Sequence, residues 1–198
     1  MLNTAHLRPA DMNPPLYADA FSADHLPHLE TWLADPAVHR NLYALFRPMS
    51  AEELEHWLAR EREDDARMFF YRTDPETCSG TAVGMGLVHY IHQKHGSGEL
   101  SIIVNPARAG QGFGRRIMAH LMECAFRQHG LHKIYFHCAA PNTRMIDIAR
   151  RAGFVQEGLF REAIYLDGKW FNTYRFGMLV SEYETFLQQN LAGHNVIS

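Results

Sequence analysis

Cysteine, surplus charge and long apolar runs are all scarce in this sequence. Its three cysteines stand at unrelated spacings without a C-x-x-C pair, which argues against a disulfide framework and favours reduced thiols. A formal net charge of −3 provides no basic footprint for nucleic acid and no polybasic patch for a membrane. Nowhere do about eighteen apolar residues run together, and the N-terminus lacks the apolar core of an export signal. We therefore expect a cytoplasmic protein without nucleic-acid or membrane partners.

Length and composition indicate one domain. The 198 residues are 46% hydrophobic and 21% charged, an ordinary balance that supports one sizeable core and does not require two. The sequence has no internal repeat and no low-complexity segment. We expect a single domain over residues 1–198, with its core at about 22–182 and a mobile tail at about 191–198.

Two helical stretches precede most of the predicted sheet. Adjacent prolines at 14–15 make the first ten residues a short strand or an arm. Ser22 is suited to cap a helix that an Asp-Pro pair at 35–36 interrupts, and a second short helix follows. The S-x-x-E pattern of Ser50 and Glu53 is a capping box, which predicts the start of another helix.

The middle of the chain alternates apolar and polar residues in short runs. Strands are predicted at 68–72, 81–91 and 99–104, and the turn-rich segments between them favour an antiparallel meander. An amphipathic helix then runs to Gly130. A further strand at 132–138 completes a strand–helix–strand crossover, which makes it a parallel neighbour of the strand before the helix.

The last third predicts one more helix and a hairpin. The helix covers 142–152, and strands at 158–166 and 169–180 flank Asp167 and Gly168, the preferred dipeptide of a two-residue type I′ turn. The expected fold class is α/β (α+β): a mixed, mostly antiparallel central sheet with helices on both faces.

Three closely spaced glycines join the predicted strand at 99–104 to the amphipathic helix. Gly110, Gly112 and Gly114 let main-chain N–H groups converge without interference from Cβ atoms, and the helix adds its free N–H groups and its positive dipole end. Neither the P-loop nor the dinucleotide fingerprint is matched, because Arg115 and Arg116 follow the third glycine. The loop predicts an anion site, with close helix packing as the structural alternative.

This loop resembles that of the GNAT N-acyltransferases, which bind acetyl-CoA through a Q/R-x-x-G-x-G/A segment between a strand and a helix. Residues 109–114, Ala-Gly-Gln-Gly-Phe-Gly, fit at both glycines, while Ala109 stands where Gln or Arg is usual. Residues 142–154 resemble the family's later N-x-x-A/S-x-x-x-Y-x-x-x-G-F helix at Asn142, Gly153 and Phe154. The hairpin resembles that of the branch with ribosomal-protein N-terminal and spermidine acetyltransferases.

The resemblance implies a fold, a co-substrate and a set of contacts. Two parallel strands are expected to splay apart and admit the pantetheine arm of acetyl-CoA. A main-chain N–H near Ile103 or Val104 is expected to hold the thioester carbonyl. The residues expected to bind acetyl-CoA are Ile102, Ile103, Val104, Gly110, Gln111, Gly112, Phe113, Gly114, Arg115 and Asn142.

Acyl transfer from a thioester needs a neutral amine, support for the carbonyl oxygen and modest help for the departing thiolate. Glu99 is our candidate for deprotonating the substrate ammonium, because several relatives carry an acid at this place on the strand. Its structural alternative is a solvated residue after Gly98. His89, His137 and Asp147 are further candidates for the base.

Where the family often has a tyrosine that protonates the thiolate, this chain has Ala149. A water molecule or Tyr135 could serve instead, since a thiolate leaves without full protonation. The substitutions at Ala109 and Ala149 also leave open a catalytically weak acyl-CoA-binding sensor or scaffold of the same fold.

Other chemistries are disfavoured. Thirteen histidines invite a metal site, but the His89-x-x-His92 spacing puts side chains on opposite sides of a strand, so no metal is predicted. Cys138 lies in an apolar alternation and is disfavoured as a nucleophile. The acidic run at 61–65 is the solvated end of a helix or an entry for cationic substrates.

Together these features predict an acetyl-CoA-dependent N-acetyltransferase that works by direct attack of a primary amine in a ternary complex. The acceptor is a small molecule or a protein N-terminus; polyamines, amino sugars and antibiotics all remain open. A homodimer is a further possibility.

Overall fold

The computed structural model describes residues 14–39, 41, 49–76 and 81–194. The predicted N-terminal strand or arm, the end of the turn before the second meander strand and the last four residues of the predicted tail lie outside these ranges.

Within the described ranges, seven strands form one sheet in the order β1-β2-β3-β4-β5-β7-β6. Neighbouring strands pair antiparallel, except that β4 and β5 are parallel. This confirms the mixed, mostly antiparallel sheet. The strands are β1 Tyr17–Ala20, β2 Arg67–Arg72, β3 Ala82–His92, β4 Ser97–Val104, β5 Lys133–Ala139, β6 Val155–Leu166 and β7 Lys169–Leu179.

Helices cover both faces of the sheet, as predicted. One apolar cluster joins the first and third helices to β2, β3 and Ile103 of β4. The other joins the last three helices to the opposite face, through Leu100 of β4 and Phe136 of β5. The helices are α1 Leu26–Ala34, α2 Pro36–His39, α3 Ala51–Glu63, α4 Phe113–Glu123, α5 Thr143–Arg151 and α6 Val180–His194.

Local signals in the sequence correspond to local geometry. At the start of α3 the Ser50 side chain accepts from the Glu53 N–H, and the Glu53 carboxylate accepts from the Ser50 N–H, which confirms the capping box. Asp167 and Gly168 both have positive φ, 48° and 79°, as a type I′ turn requires. The helix predicted to reach Gly130 stops being α-helical after Glu123, because Cys124–Gln128 widen into a π-helical turn.

The parallel strands part soon after they meet. Their pairing covers only Ser97, Gly98 and Glu99 of β4 against Lys133–Tyr135 of β5. Both strands continue beyond these residues, β4 to Val104 and β5 to Ala139, without further pairing to each other. The expected splay is therefore present, and Glu99 stands at its origin.

Helix α6 was not predicted from the sequence. Tyr183, Phe186 and Leu187 have the i, i+3, i+4 spacing of an apolar helical face, a signal that could have found it. The Tyr183 hydroxyl donates to Glu123 of α4 at 2.6 Å, which docks the helix on the core. The helix includes residues 191–194 of the predicted tail, whose mobility stays a prediction.

Candidate active site

An open cleft of about 820 Å³ lies where β4, α4 and α5 converge. All ten residues expected to bind acetyl-CoA line it, from Ile102 on β4 through the glycine loop to Asn142 before α5. The opposite wall comes from the N-terminal helices, through Ala37 and Val38 of α2 and the following Asn41. The cleft thus brings together residues that are up to about a hundred positions apart in the chain. The volume of the cleft is in the usual range for small-molecule sites.

Two of the three glycines in the loop are required by the backbone. Gly110 and Gly112 have φ of +80° and +81°, in the left-handed region that favours glycine. Gly112 is the N-cap of α4, so no side chain caps the first-turn N–H groups that border the cleft. Gly114 has another role: a Cβ there would lie 3.2 Å from Ile148, so this glycine lets α4 pack closely on α5.

Arginines surround this helix end. Arg115 was expected at the site, whereas Arg108, Arg144 and Arg151 were not assigned to it. Arg151 forms an ion pair with Asp147 on the same helix at 2.8 Å. Phosphate groups pair well with guanidinium groups and with helix N-termini, so the rim is suited to a polyanionic ligand.

Asn142 makes two local hydrogen bonds through its side-chain amide. Its side-chain oxygen accepts from the Met145 N–H at 3.1 Å, which caps α5. Its side-chain nitrogen donates to the Asn41 carbonyl at 3.1 Å, across the cleft. The side-chain amide is therefore occupied at both ends, and its contact with acetyl-CoA stays a prediction that requires the Asn41 contact to open.

Glu99 does not line the cleft. Alternation along β4 puts Glu99, Ser101 and Ile103 on the face that carries α1 and α3. The Glu99 carboxylate lies 3.1 Å from His137 Nδ1 on β5, and both side chains are largely buried. The structure thus joins two of the candidate bases into one pair at the origin of the splay.

The other groups considered for proton transfer differ in their surroundings. Ala149 is completely buried in the core, and its methyl group provides no hydroxyl that could protonate the thiolate. Burial, followed by the Glu99 charge, raises the pKa of Tyr135, whose ring lies 4.0 Å below the Arg175 guanidinium. Burial raises the pKa of the Cys138 thiol to about 12, so Cys138 is not an activated nucleophile.

The acidic run at 61–65 is only partly solvated. Glu61 is 4% exposed and faces His89, which is 1% exposed, so the expectation of a solvated helix end is wrong for Glu61. The amphipathic face of α3 explains this, because Glu61 continues the inward stripe of Leu54 and Leu58. Among the described residues, no group of three or more His, Cys, Asp or Glu side chains is arranged to hold a metal ion.

Comparison with known proteins identifies the family. The family model for acetyltransferase (GNAT) domains matches residues 16–155. The chain belongs to the GNAT acetyltransferase family. This confirms the resemblance, and with it the prediction of an acetyl-CoA-dependent N-acetyltransferase.

Individual relatives of this acetyltransferase point to the predicted branch. A spermidine N(1)-acetyltransferase of Vibrio cholerae is 31% identical over 134 residues, which is 68% of this chain and 76% of the relative. That of Escherichia coli K12 is 27% identical over 106 residues, 54% of this chain and 57% of the relative.

A solved structure of the Vibrio cholerae spermidine N-acetyltransferase, in complex with CoA and spermine, matches with a TM-score of 0.77. Its sequence is 26% identical, and the match covers 85% of this chain and 98% of the other. The fold described above is thus a GNAT fold. Within the described part of the acetyltransferase, no helix is long and apolar enough to cross a bilayer.

Proposed function

We propose that this acetyltransferase transfers the acetyl group of acetyl-CoA to a primary amine by direct attack in a ternary complex. The observation that carries the proposal is the position of Glu99, at the point where β4 and β5 part. The cleft with the glycine loop lies beyond this point along β4. A thioester that enters along the splayed strands would reach an amine held on the face of Glu99.

The acetyl-CoA site in this proposal is the cleft itself. The uncapped N-terminus of α4 and the arginines of the rim would hold the phosphates. The pantetheine arm would replace the missing pairing of β4 beyond Glu99, since extended amide groups can hydrogen-bond to a strand edge. A main-chain N–H near Ile103 or Val104 would hold the carbonyl oxygen as negative charge develops on it.

The acceptor in this proposal lies on the open sheet face beside α1 and α3. Glu99 would accept a proton from the ammonium, and His137, whose Nδ1 lies 3.1 Å from the Glu99 carboxylate, would share that proton. The relatives are named for acetylation of spermidine, which makes this polyamine the first acceptor to test. The catalytically weak sensor remains an alternative outcome, which no contact among the described residues favours.

A thiol-release assay with a panel of amines tests the proposal. We expect CoA release that depends on both acetyl-CoA and an amine, and intersecting rather than parallel initial-velocity lines as the two substrates are varied. Parallel lines would indicate a covalent acetyl-enzyme and contradict direct attack. Tight CoA binding, measured by calorimetry, without amine-dependent release would contradict the enzyme and support the sensor.

We also propose a cytoplasmic location without metal, nucleic-acid or membrane partners. It rests on the cysteine spacing, which favours reduced thiols, and on Cys124 and Cys138, which are free and buried. The mildly acidic net charge of −3 supports the absence of a nucleic-acid partner. A homodimer stays a prediction that sedimentation of the purified protein would test.

A further inference from the structure

A line of three polar side chains runs from the apolar layer under α3 to the open face of the sheet. Ser101 Oγ on β4 lies 2.9 Å from His89 Nε2 on β3. On the other side of the ring, His89 Nδ1 lies 3.6 Å from Glu61 Oε2 on α3. A hydroxyl, an imidazole and a carboxylate therefore stand in sequence, with only the hydroxyl near the surface.

The inner two groups are buried at a cost that needs a compensating role. Glu61 and His89 are 4% and 1% exposed, and their neighbours on α3 include Leu54 and Leu58. In the described part of the chain, His89 Nδ1 has no hydrogen-bond partner at shorter range than this carboxylate. A buried carboxylate and imidazole are expensive unless paired, and such pairs are concentrated at functional sites.

The backbone next to His89 is strained in a way that fixes the ring. The following residue, Tyr90, has a φ of +47°, which is unfavourable for a bulky residue, and the β3–β4 register shifts between His89 and His92. The bulge turns the Tyr90 ring onto the His89 ring, with centroids 4.5 Å apart. The ring is thus covered on one face by Tyr90, and its two nitrogens face Glu61 and Ser101.

The charges around His89 set its tautomer. The Glu61 carboxylate faces Nδ1 and favours a proton there, which leaves Nε2 to accept the Ser101 hydroxyl proton. Tyr90, which stacks on His89, feels the charges of Glu61, Glu99, Arg60 and Asp64, and His137 pairs with Glu99.

Ser101 connects this line to the proposed acceptor site. It lies two residues after Glu99 on the same face of β4, and it is half-buried, whereas His89 pairs directly across from Glu99. Two carboxylate–imidazole pairs therefore stand side by side, Glu99 with His137 and Glu61 with His89. Acetylation of an ammonium removes two protons from nitrogen, one before the C–N bond forms and one after it.

We propose that Ser101, His89 and Glu61 form a relay that accepts the second of these protons, an inference that rests on the proposed function. Glu99 takes the first, and the neutral amine attacks the thioester carbonyl. Ser101 Oγ then takes a proton from the adduct nitrogen while its own passes to His89 Nε2, and Glu61 stabilises the imidazolium. The C–S bond breaks, CoA leaves with the electron pair as a thiolate, and solvent protonates it.

The test compares Ser101→Ala and Glu61→Gln with the wild type in steady-state kinetics. We expect each to lower kcat by about 10²-fold, the usual scale for a proton-transfer group, without changing the KM for acetyl-CoA. Ser101→Thr keeps the hydroxyl and should restore most of the rate. Ser97→Ala, on the same strand and face but outside the line, should match the wild type.

An acceptor amine of low pKa separates the relay from Glu99. Such an amine arrives neutral, so it should restore Glu99→Gln but leave the Ser101→Ala deficit, whereas added imidazole, a diffusible base, should rescue Ser101→Ala. Wild-type kinetics in both variants, a loss that merely follows a lower melting temperature, or full rescue of Ser101→Ala by the neutral amine would each overturn the relay. An inactive wild type would remove the proposed function and the relay together.

Discussion

At the scale of single residues, Glu99 makes the sharpest prediction. Glu99→Gln preserves shape, so we expect unchanged CoA affinity and turnover that is about 10²–10⁴-fold lower at neutral pH. Activity should recover partly as pH rises, because free amine then accumulates. Steady-state kinetics across pH measures this, with Glu52→Gln on the exposed side of α3 as the matched carboxylate exchange. Wild-type turnover in Glu99→Gln would make Glu99 a structural partner of His137.

Arg144 makes a second prediction at this scale. It lines the cleft from the start of α5, whereas Arg150 on the same helix is exposed and lies outside the lining. Arg144→Gln should weaken CoA binding by about 1 kcal/mol, or roughly fivefold, and reduce its salt dependence. Arg150→Gln should do neither. Calorimetry at two salt concentrations distinguishes the two, and equal effects would show a general charge effect rather than a contact.

At the scale of elements, mutation can separate two roles of the glycine loop before α4: its left-handed backbone conformation and its contact with CoA. Gly112 and Gly130 both have left-handed φ, +81° and +63°, but only Gly112 borders the cleft. Gly112→Val and Gly130→Val should each lose about 1–3 kcal/mol of folding stability. Only Gly112→Val should also lose CoA affinity. Calorimetry on folded protein checks this, and unchanged affinity in Gly112→Val would remove the loop from the site.

Elements with strong local signals were predictable from the sequence. The capping box of Ser50, the type I′ turn at 167–168 and the glycine loop are each specified by a few adjacent residues. The pairing of Glu99 with His137 could not be predicted, since it depends on how β4 and β5 meet. The burial of Glu61 could not be predicted for the same reason. Its charge predicts an exposed side chain, whereas the side chain is buried against His89 through a tertiary contact.

At the scale of the whole molecule, buried histidine makes stability depend on pH. Burial lowers the pKa of His120, whose Nδ1 lies 2.7 Å from the Tyr71 hydroxyl in the core. A folded-state pKa below the unfolded value means that unfolding favours protonation, so this contribution is present at neutral pH and lost as pH falls below about 6.5.

His120→Gln should therefore flatten the fall in melting temperature between about pH 7 and pH 5, although it lowers the melting temperature at pH 7. Thermal unfolding at a series of pH values measures both effects. His56, exposed on α3, supplies the control variant His56→Gln. A pH dependence that is identical in His120→Gln and the wild type would assign the acid sensitivity to other groups.

The cleft takes its walls from elements that belong to opposite cores. Val38 of α2 packs with the cluster under α1 and α3, whereas Met145 and Ile148 of α5 pack with the cluster on the other face. A ligand bound between these walls would contact both apolar clusters, so the unfolding of one cluster would become coupled to the unfolding of the other. At a hundredfold excess over its Kd, this ligand would raise the free energy of unfolding by about 2.7 kcal/mol. Amide exchange should therefore slow in α2 as well as around the glycine loop, some seventy residues farther along the chain.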